Sequence, residues 1–277
     1  MHTTKKRLAG IELYSLYEAA VQNVDADLDF VERVYRKERG ERPSTLKEDF
    51  CGTASLCSQF VARRAGNRAW GVDLDPEPLE WGRRHRIALL GDAADRVELL
   101  QTDVREPPTE PVDIVTAFNF SYWVFGTRPE LLDYFRAAHG ALQPGGMLFL
   151  DAFGGTESEC TLEETTRVPA GRDPDGTSLP AFRYIWEQES FSAIDHRIVC
   201  HIHFELGARR LRRAFSYHWR LWTLPELCEL LEEACFRESR VYVEGWDDEA
   251  DEPDGVFRLR KRLDNEGGWI AYVVGLR

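Results

Sequence analysis

Residues 45–56 read Thr45-Leu46-Lys47-Glu48-Asp49-Phe50-Cys51-Gly52-Thr53-Ala54-Ser55-Leu56. This order predicts a short strand, a tight turn and the start of a helix. Gly52 can adopt backbone angles that are closed to other residues, and the small residues after it let the main chain approach a ligand. The free N–H groups of the helix start would face that ligand, and Glu48 can accept hydrogen bonds from a cationic amine. We therefore expect a zwitterionic ligand with a nucleoside here rather than a bare phosphate.

A second strand is predicted after this turn and its helix, over residues 68–72, and it ends at Asp73. An acid at the tip of the second strand of a βαβ unit can hold both hydroxyls of a ribose. The alternative is that Asp73 caps the next helix. Because Asp75 precedes Pro76 and fits that role better, we interpret Asp73 as the ribose ligand.

Two further strands are predicted over residues 97–101, closed by Asp103, and over residues 112–118. The second of these is a nearly continuous apolar run, which is typical of a central parallel strand buried on both faces. Polar and aromatic residues follow it at positions 119–125. Since open α/β sheets bind ligands at the carboxyl ends of their strands, we interpret this cluster as a substrate-facing wall. Core packing is the alternative, above all for Phe120 and Phe125.

Residues 45–56 resemble the first motif of class I S-adenosylmethionine-dependent methyltransferases, which runs acid-x-Gly-x-Gly-x-Gly. Glu48 falls on the acid and Gly52 on the central glycine, whereas Phe50 and Ala54 replace the outer glycines and Asp49 stands where an apolar residue is usual.

Two later stretches extend the resemblance. Gly71-Val72-Asp73-Leu74-Asp75 is similar to the second motif of the family, and Leu142-Gln143-Pro144-Gly145-Gly146 is similar to its turn before an apolar strand. The turn also has a physical reason, since proline cannot continue a helix and two glycines supply the reversal.

The resemblance implies S-adenosylmethionine as cofactor and S-adenosylhomocysteine as its product. It implies that Asp103 takes the adenine amino group. The cofactor-binding residues that follow from it are Tyr17, Glu48, Phe50, Cys51, Gly52, Thr53, Asp73, Leu74, Asp103, Val104, Asn119 and Phe120.

The fold that the resemblance implies is an α/β fold with a seven-stranded, mostly parallel, Rossmann-like methyltransferase sheet. An N-terminal helical lid is expected over residues 1–43, and the cofactor-binding core over residues 44–153 and 221–277. Residues 154–220 combine a long polar loop with alternating strand patterns, which predicts an inserted antiparallel β cap that selects the substrate.

Aromatic residues are frequent in this cap and in the wall at positions 119–125. Rings attract a sulfonium or a methylated ammonium by about 0.5–2 kcal/mol each, which favours an amine or a similarly small acceptor. The expected substrate contacts are Tyr14, Tyr122, Trp123, Tyr184, Trp186 and Trp219, and the catalytic candidates are Tyr122, His201 and Tyr217. Core packing is the alternative for each ring. His201 and His203 share one strand face, but no third ligand is evident, so no metal site is predicted.

Composition limits the class of protein. The 277 residues are 43% hydrophobic, which is enough for a sizeable core, and the net charge of −13 makes nucleic acid a poor partner. No run of about 18 apolar residues and no apolar signal core occur, so we expect no membrane span and a cytoplasmic protein. The six cysteines lack metal or disulfide spacing. A monomer or a homodimer is expected.

The sequence leaves several functions open. The first hypothesis is a methyltransferase that acts on a nitrogen or oxygen atom of a small molecule, and its acceptor is not specified by the sequence. An RNA or protein methyltransferase is the alternative within the enzyme class. A nucleotide-binding α/β module of another kind is the alternative outside it, although the retention of Gly52 alone argues against a pyrophosphate in the first turn.

Overall fold

The computed structural model describes residues 7–108, 110–247 and 252–277. The chain divides into two compact units. The larger unit contains residues 23–158 and 222–277, and the smaller contains the N-terminal residues to Gln22 together with residues 159–221. The larger unit therefore includes residues 23–43, which the sequence analysis assigned to the lid. Residues 1–6 of that lid lie outside the described residues.

The elements have the following bounds in chain order. The helices are α1 (Leu13–Val21), α2 (Val24–Arg39), α3 (Ser55–Arg63), α4 (Pro76–Gly82), α5 (Arg128–Ala141) and α6 (Leu224–Glu233). The first strands are β1 (Arg7–Leu8), β2 (Ile11–Glu12), β3 (Thr45–Asp49), β4 (Arg68–Asp73), β5 (Val97–Gln101), β6 (Val112–Ala117), β7 (Leu142–Gly154) and β8 (Leu162–Val168). The later strands are β9 (Gly171–Arg172), β10 (Ser178–Leu179), β11 (Phe182–Phe191), β12 (Arg197–Leu206), β13 (Arg209–Arg220), β14 (Glu238–Asp247), β15 (Glu252–Arg260) and β16 (Trp269–Leu276).

The larger unit is built on one eight-stranded sheet with the order β15-β14-β16-β7-β6-β3-β4-β5. Strands β3 to β7 are parallel, and β16 pairs antiparallel with both β7 and β14. Every residue of β6 is buried, as its apolar run predicts for a strand covered on both faces. This arrangement confirms the predicted mostly parallel Rossmann-like α/β fold.

One strand exceeds the seven that were predicted. Strand β15 pairs antiparallel with β14 at the sheet edge. Phe257 of this strand packs on Phe30 of α2, with ring centroids 5.8 Å apart. Alternating charged residues, Arg258 and Arg260, are typical of an exposed edge strand, and they hide the strand pattern in the sequence.

The smaller unit contains a four-stranded antiparallel sheet with the order β13-β12-β11-β8. This sheet confirms the predicted inserted antiparallel strands. Strand β8 lies in a stretch that the sequence analysis interpreted as a long loop. Its residues are mostly exposed and polar, so they carry no apolar alternation, and pairing with β11 defines the strand.

Candidate functional site

The first loop of the candidate site follows β3 and has an unusual backbone. Phe50, Gly52 and Ala54 all have positive φ angles, of 56°, 53° and 56°. A Cβ atom added at Gly52 would meet no protein atom within 4 Å, so the loop leaves open space at its centre. The N–H of Cys51 donates to the Val72 carbonyl at 3.0 Å and ties the loop to β4. The strained αL residues are of the kind that clusters at functional sites.

The helices on either side of this loop pack closely against it. A Cβ atom at Gly82 would stand 2.3 Å from the Thr53 carbonyl oxygen, so only glycine allows α4 to approach. The predicted ligands Cys51 and Thr53 belong to this loop, and both residues are buried.

Glu48 lies at the tip of β3, where it is buried. Its Oε2 accepts the N–H of Cys57 in the first part of α3 at 2.9 Å. Burial raises the pKa of Glu48 to about 7, and the charges of Asp73 and Asp27 raise the pKa further in the same direction. A bound cation would favour the ionised carboxylate here.

Asp73 closes β4 beside the first loop, as the sequence predicts. Its Oδ2 accepts the Gly52 N–H and its Oδ1 accepts the Asp75 N–H, both at 2.9 Å. The Leu74 main chain is a third backbone donor to this carboxylate, so three of its about four lone-pair sites are engaged within the protein. Burial raises the pKa of Asp73. Asp75 caps α4 by accepting the Glu77 N–H at 2.9 Å, which is the role proposed for it over Asp73.

Asp103 follows β5, next to β4 in the sheet. The Arg105 guanidinium donates to both of its carboxylate oxygens, at 2.9 and 2.6 Å, and lowers the pKa of Asp103. Val104 beside it is buried, whereas Leu74 after β4 is among the exposed large apolar residues. Sequence reasoning did not identify Arg105 as this partner, although it lies two residues after Asp103.

A buried ion pair that sequence reasoning missed lies beneath the loops of β3 and β5. The Lys47 ammonium bonds to the Asp49 carboxylate and donates to the Val104 carbonyl at 2.6 Å. The Tyr134 hydroxyl donates to the other Asp49 oxygen at 3.0 Å. Asp49 stands where the motif usually has an apolar residue. This departure is the sequence signal from which a cationic partner could have been predicted.

The tip of β6 is held by an acid from β7. Asn119 and Phe120 both have positive φ, and their N–H groups donate to the two oxygens of Asp151 at 2.7 and 2.9 Å. Burial raises the pKa of Asp151 to about 7. The predicted cofactor residues Asn119 and Phe120 are half-buried, and the sequence analysis did not include Asp151 in the site.

Tyr122 and Trp123 follow this loop but are fully buried. The Tyr122 hydroxyl donates to the Asp151 carbonyl at 2.8 Å, and burial raises the pKa of Tyr122 well above its ordinary value. Both rings pack among aromatic neighbours, so the placement of Tyr122 and Trp123 weighs against direct catalysis and substrate contact. Their predicted roles stay predictions.

The other predicted residues lie in the smaller unit. The rings of Tyr14 and Tyr17 lie 6.2 and 4.8 Å from that of Phe215. A second aromatic group comprises Trp186, Tyr217 and Trp219, with Tyr217 stacked on Trp219 at 4.3 Å. Tyr184 is half-buried beside Phe204, with 6.3 Å between the ring centroids. The predicted substrate contacts here stay predictions.

His201 is buried on the opposite face of the same small sheet. Its Nδ1 lies 2.7 Å from the Ser216 hydroxyl and its Nε2 lies 2.5 Å from Glu189. His203 is bonded to Glu187 at 2.7 Å and accepts the Arg213 N–H at 2.8 Å. The two imidazoles are thus engaged by separate carboxylates. Within the described ranges, no three His, Cys, Asp or Glu residues form a group that could hold a metal ion.

Three comparisons with known proteins bear on this site. A family described as a methyltransferase domain matches residues 51–148, which run from the first loop to β7. No curated protein matches the sequence.

Among the described residues, no helix is both long enough and apolar enough to cross a bilayer.

Several solved structures share the fold at low sequence identity. An amino pentose methyltransferase from Micromonospora echinaspora is 17% identical with a TM-score of 0.64, over 97% of this chain and 99% of that one. An S-adenosylmethionine-dependent methyltransferase from Clostridium acetobutylicum is 15% identical with a TM-score of 0.65, over 94% and 96%. A sugar N-methyltransferase from Streptoalloteichus sp is 19% identical with a TM-score of 0.62, over 100% and 98%.

Proposed function

From the premise that this chain carries a methyltransferase domain on the sheet of the class I S-adenosylmethionine-dependent methyltransferases, we propose that it transfers a methyl group from S-adenosylmethionine to a nitrogen or oxygen atom of a small molecule. The observation that carries the proposal is the row of acids at three neighbouring strand ends. Glu48 lies at the end of β3, Asp73 ends β4 and Asp103 follows β5, and these three strands are consecutive in the sheet.

The residues present fit this cofactor. Asp73 can accept a ribose hydroxyl beside its backbone donors, and Gly52 leaves open space beside it. Asp103 keeps carboxylate lone pairs for an adenine amino group, although Arg105 already holds it. Glu48 provides negative charge near the first loop, where the amino-acid end of the cofactor carries an ammonium group.

The chemistry requires binding and alignment more than it requires an acid or a base. The bound cofactor supplies an electrophilic methyl group on a sulfonium. Holding the acceptor in line with that methyl contributes about 7–11 kcal/mol of the barrier reduction. The αL loops at the tips of β3 and β6 fix the main chain for this purpose, because Asp73 clamps the first loop and Asp151 clamps the second.

The acceptor class is suggested by the neighbours of the fold. Two of them are described as acting on sugars that carry nitrogen, namely an amino pentose methyltransferase and a sugar N-methyltransferase. We extend this to the present chain as a proposal: an amine on a small polar molecule, with nitrogen preferred over oxygen. The predicted cytoplasmic location and the monomeric or dimeric state stay predictions.

Thermal unfolding with three ligands tests the proposed function. S-adenosylmethionine and S-adenosylhomocysteine, each at about 100 times its Kd, are expected to stabilise the protein by about 2.7 kcal/mol. NAD serves as the control, because its pyrophosphate does not suit a turn with a single glycine. A shift with NAD and none with the two adenosyl ligands would show a nucleotide-binding module of another kind.

A further inference from the structure

Four acids near the carboxyl ends of the larger sheet's strands have no cationic partner in the described parts of the chain, whereas Asp49 and Asp103 there are paired with Lys47 and Arg105. Asp27, Glu48, Asp73 and Asp151 form hydrogen bonds with N–H or O–H groups, and the charged groups that influence their pKa values are other acids. Four carboxylates that repel each other require protons or a cation from outside. The bound cofactor brings one ammonium and one sulfonium, which is fewer positive charges than there are acids.

Two of these acids are deep in the protein and still reached by solvent. Burial raises the pKa of Asp27 to about 6 and that of Asp151 to about 7, although both residues remain partly accessible. Both side chains therefore lie where the larger unit meets solvent. The Tyr272 hydroxyl bonds to Asp27, and β16 places Tyr272 directly opposite Asp151 of β7.

The sheet order separates Asp151 and Tyr272 from Asp73 and Asp103, the predicted ligands of the nucleoside. Asp73 and Asp103 follow β4 and β5 on one side of β3, whereas Asp151 and Tyr272 lie on β7 and β16 on the other side. The charge of Asp27 raises the pKa of both Glu48 on β3 and Asp151 on β7, and β6 lies between these two strands in the sheet. The chain reverses its strand order between β3 and β6, and ligands of open α/β sheets bind at that switch point.

A second, independent feature points to a ligand in the same place. The Thr116 hydroxyl oxygen on β6 is buried and has no hydrogen-bond partner. Thr116 is in register with Glu48 on the adjacent strand, so the two side chains share a sheet face. Buried polar atoms are nearly always satisfied, and an unsatisfied one in a native structure indicates a missing partner.

We propose that Asp27, Tyr272 and Asp151 form the binding site for the ammonium group of a cationic amine acceptor, and that Asp27 removes its proton. This inference rests on the proposed function and makes it specific to amines that are protonated at neutral pH. Tyr272 and Asp151 hold the ammonium group, and Asp27, in the first turn of α2, is the catalytic residue.

The proton and electron balance of the step is complete. Asp27 takes one proton from the ammonium, and the nitrogen lone pair that is released forms a bond to the methyl carbon. The carbon–sulfur bond breaks as this bond forms, and its electron pair stays on sulfur, which becomes a neutral thioether. Asp27 then returns its proton to solvent, to which its half-buried side chain is partly exposed.

Sinefungin tests the site without knowledge of the acceptor. In this analogue a carbon that bears a primary ammonium replaces the methylated sulfonium, so the ammonium projects where the methyl group would leave. S-adenosylhomocysteine is the matched ligand, because it has the same nucleoside and amino-acid end without that ammonium. Calorimetry would give Kd for both ligands with the wild type, Asp27→Asn, Tyr272→Phe and Asp29→Asn. The last is the control, since Asp29 is in the same helix but pairs with Arg63 at the surface.

The proposal predicts a ligand-specific loss. Asp27→Asn should weaken sinefungin roughly tenfold or more, because a hydrogen bond between charged groups is lost, and leave S-adenosylhomocysteine nearly unchanged. Tyr272→Phe should show a smaller loss of the same kind, and Asp29→Asn none. Retained binding of S-adenosylhomocysteine also shows that each variant is folded.

Two results would overturn the inference alone. One is an equal loss for both ligands, which would place Asp27 at the amino-acid end of the cofactor. The other is no loss for either ligand in both Asp27→Asn and Tyr272→Phe. If neither ligand binds the wild type, the proposed function itself is wrong, and this inference with it.

Discussion

The acidic residues of the eight-stranded unit and those of the four-stranded sheet differ in whether they have cationic partners. In the smaller unit Glu163, Glu187, Glu189 and Glu205 each lie within ion-pair distance of an arginine or a histidine. In the larger unit Asp27 of α2 and the acids Glu48, Asp73 and Asp151 near strand ends have no such partner among the described residues, and burial raises the pKa of each. The first set is neutralised within the fold, whereas the second set keeps a negative potential for a ligand.

One acid of the larger unit differs from its neighbours and shows the reason for the contrast. Asp49 is as deeply buried as Glu48, but it is paired with Lys47 and bonded to Tyr134. Lys47 also holds the Val104 carbonyl, so the pair links the loops that follow β3 and β5. The compensated Asp49 thus connects two elements of the site, whereas we propose that the uncompensated acids interact with its ligands.

The largest expected effect is on the free energy of unfolding and comes from removing Lys47, the cationic partner of Asp49. Lys47→Met leaves the Asp49 carboxylate buried without its partner, which should lower the free energy of unfolding by about 3–5 kcal/mol. Chemical denaturation measures this loss. The double variant Lys47→Met/Asp49→Leu should recover most of it, since an apolar pair of similar volume replaces the ions.

The matched control is Arg183→Ala, whose exposed pair with Glu205 should contribute about 0.2–1 kcal/mol. Equal losses for Lys47→Met and Arg183→Ala would contradict the contrast.

The next effect is a pH dependence of stability in the absence of ligand. Because the folded pKa of Glu48 is raised to about 7, the folded protein holds a proton that the unfolded chain has released, and this stabilisation is present below pH 4.5 and lost as the pH rises through 7. Glu48→Gln does not titrate. Its free energy of unfolding relative to the wild type should therefore increase by on the order of 1–3 kcal/mol between pH 5 and pH 8. A difference that is constant with pH would show that Glu48 is not perturbed.

The smallest of the three effects concerns cofactor affinity. Asp73→Ala removes the acceptor of the Gly52 and Asp75 N–H groups and the predicted ribose ligand, so the Kd for S-adenosylmethionine should rise about tenfold or more, or about 1.4 kcal/mol. Asp75→Ala is the control: it loses a helix N-cap and about 0.5–2 kcal/mol of stability, but it should keep its affinity. Calorimetry at a temperature where both variants are folded separates the two outcomes.

The parts of the fold that the sequence predicts are those with strong local signals. The apolar run at 112–118 gives β6, and the acids that end β3 and β4 lie at neighbouring strand tips as predicted. Strands β8 and β15 were missed because both have exposed, charged or polar residues. Pairing with a neighbour, rather than side-chain pattern, defines such edge strands.

The sequence by itself determined the succession of strands and helices along the chain, the tight turn at Gly52 and the acids at the strand ends, because glycine, proline and strand-end carboxylates act within a few residues. Tertiary structure alone decided which acids are paired. Asp27, Asp151 and Tyr272 come from widely separated parts of the chain, and only the sheet order brings them to one edge. The pairing of Asp49 with Lys47, and the absence of any such pairing for Glu48, depends on which side of β3 each side chain occupies. Burial then sets the pKa of each carboxylate, and burial is a property of the assembled fold.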